Sequence, residues 1–301
     1  MQITRLAPSP TGALHLGNAR TFLINWLLAR QNNWRIILRI EDLDGPRIKR
    51  GADAQAIEDL HWLGIDWDEG PIYQSSRTHL YKSAIDQLLK KKLAYPCICT
   101  RREAALAASA PHEEDAIAIY PGTCRDKFAS VEEAKKLSGR EPAIRFRVPE
   151  SDKELGDFVI AKADGTTAYQ LAVVVDDADM NITQVVRGDD LLDSTPRQVL
   201  LYRALGMAEK IPQYTHVPLV VGPDGKRLAK RHGDTRLSHY RESGVSPGRI
   251  RALLAKWCGI ESDAEISIEE LLQQFKIERL PRERIIMTDE DDAWLQNERR
   301  K

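Results

Sequence analysis

Near the amino terminus, Pro8, Ser9, Pro10, Thr11 and Gly12 are followed by His15, Leu16, Gly17 and Asn18. A short apolar strand over 3–6 feeds this loop, and a helix is expected to open near Leu16 and run through Ala29. A strand, a tight loop and a helix start together leave unpaired backbone N–H groups aimed outward, where a phosphate can sit. Two prolines stiffen the loop, and Gly12 and Gly17 let backbone approach a ligand closely. His15, just before the helix, is placed to donate a hydrogen bond to charge developing on a phosphoryl group.

Other residue sets carry chemistry of their own. Glu41 begins an acidic run with Asp42 and Asp44, directly after the apolar stretch 34–40, and a carboxylate there could hold a substrate ammonium group. Tyr169 and Arg187 bear on specificity, because a guanidinium grips a carboxylate bidentately in a way lysine cannot. Cys97 and Cys99, with Cys124 returning later, form a plausible structural zinc site with thiolates at about 2.3 Å. Three thiolates need a fourth ligand, and general chemistry favours the imidazole of His112 over a phenol.

The elements that must position these groups read as an α/β chain. Residues 34–40 look like a buried parallel strand, 54–63 and 78–91 like amphipathic helices, and 64–71 like a breaker cluster. A helix is expected over 101–109, and antiparallel strands over 141–148 and 157–161. Residues 168–177 and 182–186 read as further buried strands, the second closing on Arg187 and Gly188. Thr195 and Pro196 start a helix to Leu205, and 216–221 reads as one strand before the basic run 226–231. Helices are expected over 236–243, 247–258 and 268–275.

Bulk composition agrees with a soluble globular protein: of 301 residues, 42% are hydrophobic and 30% charged. No apolar run approaches the roughly 20 residues needed to span a membrane, and residues 1–5 lack the pattern of a signal peptide, so a cytoplasmic location and no membrane partner are expected. With a net charge of −1 there is no whole-molecule attraction to a polyanion, so RNA would have to meet local basic clusters such as 47–50, 90–92, 226–231 or Arg249 with Arg251. Four cysteines are too few for a disulfide scaffold in a chain of this size.

The run from Pro8 to Asn18, extended by Arg20, resembles the "HIGH" signature of class I aminoacyl-tRNA synthetases in its glutamyl-tRNA synthetase form, with Asn18 in place of the second histidine. Residues 39–44 and 62–71 resemble the same family, and 227–231 resembles its second signature, "KMSKS", with Arg227, Ala229 and Arg231 as departures. That resemblance implies a Rossmann-like, doubly wound parallel sheet with an inserted zinc-binding subdomain and a helical C-terminal region. The expected parts are a first catalytic half over 1–95, the insert over 96–165, a second catalytic half over 166–234 and helices over 235–301. It implies catalytic roles for His15 and Lys230, the lysine neutralising departing pyrophosphate. It places ATP at Pro8, His15, Gly17, Asn18 and Lys230, and glutamate at Arg5, Leu6, Ala7, Pro8, Ser9, Glu41, Tyr169 and Arg187. Mg²⁺ is expected with ATP. The spacing of Tyr120 to Cys124 resembles that of short relatives, which implies Tyr120 rather than His112 as the fourth ligand to one structural Zn²⁺.

Those relatives are the glutamyl-queuosine tRNA(Asp) synthetases, which lack anticodon-binding domains, as this chain is expected to. The resemblance implies a monomer that activates L-glutamate with ATP and passes it to the queuosine base of tRNA(Asp). A truncated glutamyl-tRNA synthetase that charges a tRNA 3′ end is the alternative enzyme. A catalytically silent, zinc-stabilised RNA-binding module is the alternative of another class.

Overall fold

A computed structural model describes residues 1–100, 102–104, 119–226, 228, 233–262 and 264–296. The chain divides into two compact units, one formed by 1–73, 182–192 and 212–301, the other by 74–181 and 193–211.

The first unit is built on parallel strands. Strand β1 (Ile3–Leu6) pairs with β2 (Arg35–Ile40), and β2 with β3 (Glu69–Tyr73). Strands β7 (Gln184–Gly188) and β8 (Gln213–Val217) form a second parallel pair, with Arg187 opposite His216. The Thr183 amide donates to the Ile3 carbonyl at 2.9 Å, which brings β7 alongside β1. The resulting succession β3, β2, β1, β7, β8 reverses direction between β1 and β7, and ligands of open α/β sheets bind at such a reversal, beyond the carboxyl ends of the strands.

Helix α1 (Leu16–Gln31) returns the chain from β1 to β2, and it buries Leu23, Ile24 and Leu27 completely against a core that includes Leu6, Leu38 and Ile40. Helix α2 (Ala52–Trp62) leads to β3. After β8 the chain adds β9 (Val220–Val221), then α7 (Leu237–Glu242), α8 (Pro247–Lys256), α9 (Ile268–Gln274), β10 (Ile285–Ile286) and α10 (Asp289–Gln296). Side-chain caps start two of these helices: Ser246 accepts from the Arg249 amide, and Ser267 with Glu270 forms a capping box. Strand β10 pairs in parallel with β9 and joins the C-terminal helices to the same core.

The second unit carries α3 (Thr78–Lys90), an antiparallel sheet of β4 (Ala94–Cys97), β5 (Ala143–Phe146) and β6 (Phe158–Ala161), and helices α4 (Val131–Ser138), α5 (Tyr169–Asp179) and α6 (Ser194–Ala204). Asp157 joins its pieces: Oδ2 accepts from the Tyr95 hydroxyl at 2.6 Å, and Oδ1 from the Val148 amide at 2.8 Å and from Arg125 at 3.0 Å.

Four expectations are corrected. The stretch 168–177 is not a strand but most of helix α5, and every residue from Leu171 to Ala178 is buried. A helix buried on all sides has no apolar stripe, so its valine run reads as strand. Asp176, rather than ending a strand, is a fully buried hub that accepts from Gln74 at 2.7 Å, Arg77 at 2.7 Å and Tyr81 at 2.9 Å. The stretch 216–221 splits into β8 and β9 around Pro218 and Leu219, and the breaker cluster at 64–71 ends in β3. Arg187 and Gly188 belong to β7 itself rather than following it. The helix expected over 101–109 lies largely outside the described residues.

Candidate active site

The loop after β1 is fastened by backbone. Glu41 N–H donates to the Pro8 carbonyl at 3.0 Å and Lys49 N–H to the Pro10 carbonyl at 3.0 Å, while Ser9 Oγ donates to the Glu41 carbonyl at 3.2 Å. On the other flank, Leu16 N–H donates to Thr235 at 3.0 Å and Leu237 N–H to Leu14 at 2.9 Å, which makes His15 and Arg236 an antiparallel bridge. His15 is the N-cap of α1, its Nδ1 accepting from the Asn18 amide at 3.3 Å. An imidazole that accepts through Nδ1 keeps its proton on Nε2 when neutral, so Nε2 is the donor.

Arg5, 5% exposed, stands on β1 with its carbonyl accepting from Asn25 at 2.9 Å. Glu41 leaves the end of β2 and is oriented by a 3.0 Å ion pair with Arg39, whose side chain is fully buried. Arg187, 4% exposed on β7, donates from Nε to His216 Nε2 at 3.2 Å and from Nη2 to the Leu191 carbonyl at 3.2 Å, with its guanidinium 4.9 Å from the Tyr214 ring centre. Accepting through Nε2 requires an unprotonated nitrogen there; burial, and then the Arg187 charge, hold His216 below its ordinary range. Gly188 ends β7 in a tight place: a Cβ would lie 2.5 Å from Asp190 Oδ1 and 2.7 Å from Leu219 Cδ2, so both side-chain ends would have to turn aside.

The first unit therefore brings Arg5, Leu6, Ala7, Pro8, Ser9, His15, Gly17, Asn18, Glu41 and Arg187 to the carboxyl ends of β1, β2 and β7. Tyr169 lies in the second unit, as the first residue of α5, with an exposed side chain. Lys230, Arg227, Ala229 and Arg231 lie outside the described residues; Leu228 beside them is buried in the core that holds Leu14 and Leu16. His216, Tyr214, Arg39 and the 235–237 segment join the site without having been expected from the sequence. Arg39 could have been found as an arginine among the apolar residues 36–40, whereas His216 pairs with Arg187 only through strand register.

In the second unit the sulfurs of Cys97, Cys99 and Cys124 all lie within 4.8 Å of one another, a set that could hold a metal ion. The Tyr120 hydroxyl is 3.4 Å from Cys97 Sγ and 3.4 Å from Cys99 Sγ, and it accepts from the Cys124 amide at 3.0 Å. Tyr120, Cys97 and Cys124 are buried with Tyr95, and Phe128 packs against them. His112 lies outside the described residues.

Residues 2–292 match the family of class I tRNA synthetases (E and Q), catalytic domain. The chain is 50% identical, over 89% of its length and 88% of the relative's, to a glutamyl-Q tRNA(Asp) synthetase of Rhodopirellula baltica. A relative of the same description from Symbiobacterium thermophilum is 46% identical, with 97% of each chain covered. Among solved structures, a glutamate tRNA ligase from Elizabethkingia meningosepticum in complex with its amino acid superposes with a TM-score of 0.78 at 30% identity, over 98% of this chain and 68% of that one.

Proposed function

Because the chain belongs to the class I tRNA synthetases of the glutamate and glutamine (E and Q) type, we propose that it joins L-glutamate to ATP as glutamyl-adenylate and transfers the glutamyl group to the queuosine base of tRNA(Asp). One observation carries the chemical part: a buried guanidinium, a paired carboxylate and a histidine-capped helix start share the carboxyl ends of parallel strands in one unit. The names of the relatives support the acceptor.

In this reading the α-carboxylate of glutamate attacks the α-phosphate in line, and pyrophosphate leaves. The start of α1 and Nε2–H of His15 bind the phosphates, where aligned N–H dipoles and a donor favour negative charge. Pro8, Gly17 and Asn18 form the wall of that nucleotide site. Lys230 neutralises pyrophosphate as it departs, with Mg²⁺ accompanying ATP. Glu41 holds the ammonium group. Arg187 and Arg5 face the carboxylates, with Ser9 and the backbone of Leu6 to Pro8 beside them. The pocket's selectivity follows from bidentate guanidinium contact, which a neutral side-chain amide cannot match.

We also propose one structural Zn²⁺ on Cys97, Cys99, Cys124 and Tyr120. Tetrahedral ligation would set sulfurs about 3.7 Å apart and sulfur from oxygen by about 3.5 Å. The observed separations of 3.5 Å between Cys99 and Cys124 and 3.4 Å from Tyr120 to two sulfurs are close to that spacing, and all three sulfurs lie within 4.8 Å of one another. Burial pushes the Cys99 thiol up to about 11 and the Tyr120 phenol above its usual range, a balance that a divalent cation reverses by favouring the anions.

The deciding experiment uses labelled glutamate, ATP and tRNA with or without queuosine. Label retained in the anticodon stem-loop fragment, and only with queuosine present, is the expected result. Label on the 3′ adenosine would instead select a charging enzyme, the reading favoured by likeness to the solved glutamate tRNA ligase. Absence of glutamate-dependent pyrophosphate exchange would leave a silent RNA-binding module.

A further inference from the structure

Arg145 stands on β5 opposite Tyr95, one strand away from Cys97. Its Nε donates to Cys97 Sγ at 3.3 Å, and its guanidinium carbon lies 3.8 Å from the centre of the Tyr120 ring. Nη1 donates to the Asp157 carbonyl at 2.9 Å, and Asp157 itself is fixed by Tyr95 and Val148. One cation is thereby aimed at two of the four ligand positions and held there by buried backbone.

Charge makes that placement consequential. Three thiolates and one phenolate around a divalent zinc leave two net negative charges, an expensive sum to hold in a cluster whose Cys97, Tyr120 and Cys124 are all buried. A guanidinium against a sulfur and over a ring face lowers that sum by one. It interacts more strongly with a phenolate than with a neutral phenol, because the added charge of the anion enriches the ring face. Lysine would supply the same charge without the planar fork, so it should keep most of the effect.

We propose that Arg145 is the charge-balancing positioning residue of the metal centre, selecting Tyr120 as an anionic ligand and setting the affinity for zinc. The inference rests on the zinc reading above. Its geometry is that of an outer-shell partner, and losing such a partner weakens metal binding about 10- to 100-fold.

The test measures zinc content at saturation and zinc affinity by chelator competition, using the full chain as wild type, Arg145→Gln and Arg145→Lys. Cobalt-substituted absorption bands report the ligand set independently. The expected result is one zinc per wild-type chain, an affinity about 10- to 100-fold lower in Arg145→Gln with altered cobalt bands, and Arg145→Lys within about fivefold of wild type. Arg145→Gln within twofold of wild type overturns the inference, as does Arg145→Lys falling as far as Arg145→Gln. Should Arg145→Gln fail to saturate because it does not fold, Arg145→Lys decides alone: within fivefold supports the role, and a loss of tenfold or more overturns it. A wild-type chain without zinc sinks the metal reading and this inference together, whereas a zinc-loaded wild type with an indifferent Arg145→Gln sinks the inference only.

Discussion

Gly17→Ala separates what the first signature does for the fold from what it does for the reaction. Gly17 is the second residue of α1, where alanine is the better helix former by at most about 1 kcal/mol. A Cβ there would lie 3.2 Å from both Cε1 and Nδ1 of His15, and 3.5 Å from Val220 Cβ. The valine contact is ordinary, but the imidazole must give by a few tenths of an ångström. Turning the ring strains its bond from the Asn18 amide, already long at 3.3 Å, and an N-cap is worth about 1 kcal/mol. Gain and loss nearly cancel, so stability should stay within about 1 kcal/mol of the parent. Catalysis has no such compensation. A preorganised donor to a developing oxyanion is worth about 10²- to 10³-fold when removed outright, so a displaced one should cost about 10- to 100-fold. The assay pairs glutamate-dependent pyrophosphate exchange with a urea midpoint. Exchange within twofold of wild type would refute the role given to His15, and a stability loss above about 2 kcal/mol would show that the site is under steric strain instead.

Other perturbations test the scaffold. Arg20→Met should cost about 2–4 kcal/mol in urea unfolding, because a completely buried guanidinium donates to the Trp257 carbonyl at 3.2 Å and the Pro218 carbonyl at 2.7 Å, and both would lose a charged donor. His216 is held below its ordinary range by burial and the Arg187 charge, so folding favours its neutral form and stability is lost as pH falls below about 6.5; His216→Gln should flatten that limb in a series of midpoints against pH. The same acidification of wild type should raise the KM for glutamate, since protonated His216 can no longer accept from Arg187. Asp59 titrates in the opposite sense. Burial raises its carboxyl from 3.8 to about 6 despite Arg241 at 3.2 Å, so its contribution is present at low pH and lost as pH rises through that interval, and Asp59→Asn should remove the decline between pH 4 and 6.

Sequence made visible whatever local chemistry dictates. The order of strand, proline loop and helix around His15 is a short-range pattern, and β1, α1 and β2 stand where that pattern puts them. Helix α5 escaped because burial on every side erases periodicity, and tertiary packing overrode the strand preference of Val173 to Val175. The partnership of Arg187 with His216 escaped because it spans strands 29 residues apart and arises from register alone. At the cysteine cluster, ligand statistics point to His112. What brings Tyr120 to the sulfurs is the chain geometry of 120–124, where the Cys124 amide donates back to the Tyr120 hydroxyl. That bond is invisible to an argument from ligand frequency.

The departures from the class I signatures are easier to understand once the cohesion of the site is located. Three segments meet around His15: the loop after β1, the stretch from Glu41 to Lys49, and residues 235–237. Every bond named between them, except that of Ser9, runs from backbone amide to backbone carbonyl. Such bonds do not depend on side-chain identity. Asn18 in place of histidine therefore leaves these ties intact. Two buried side chains are tied by the fold itself: Arg39 pairs with Glu41 two residues along the chain, and Arg187 reaches from β7 to His216 on β8. Substitutions at those two arginines should propagate into the amino-acid pocket, whereas changes in the signature loops should act on the phosphates first. A comparison of KM for glutamate with KM for ATP across the two classes of variant would separate them, and equal effects on both constants in both classes would contradict this division of labour.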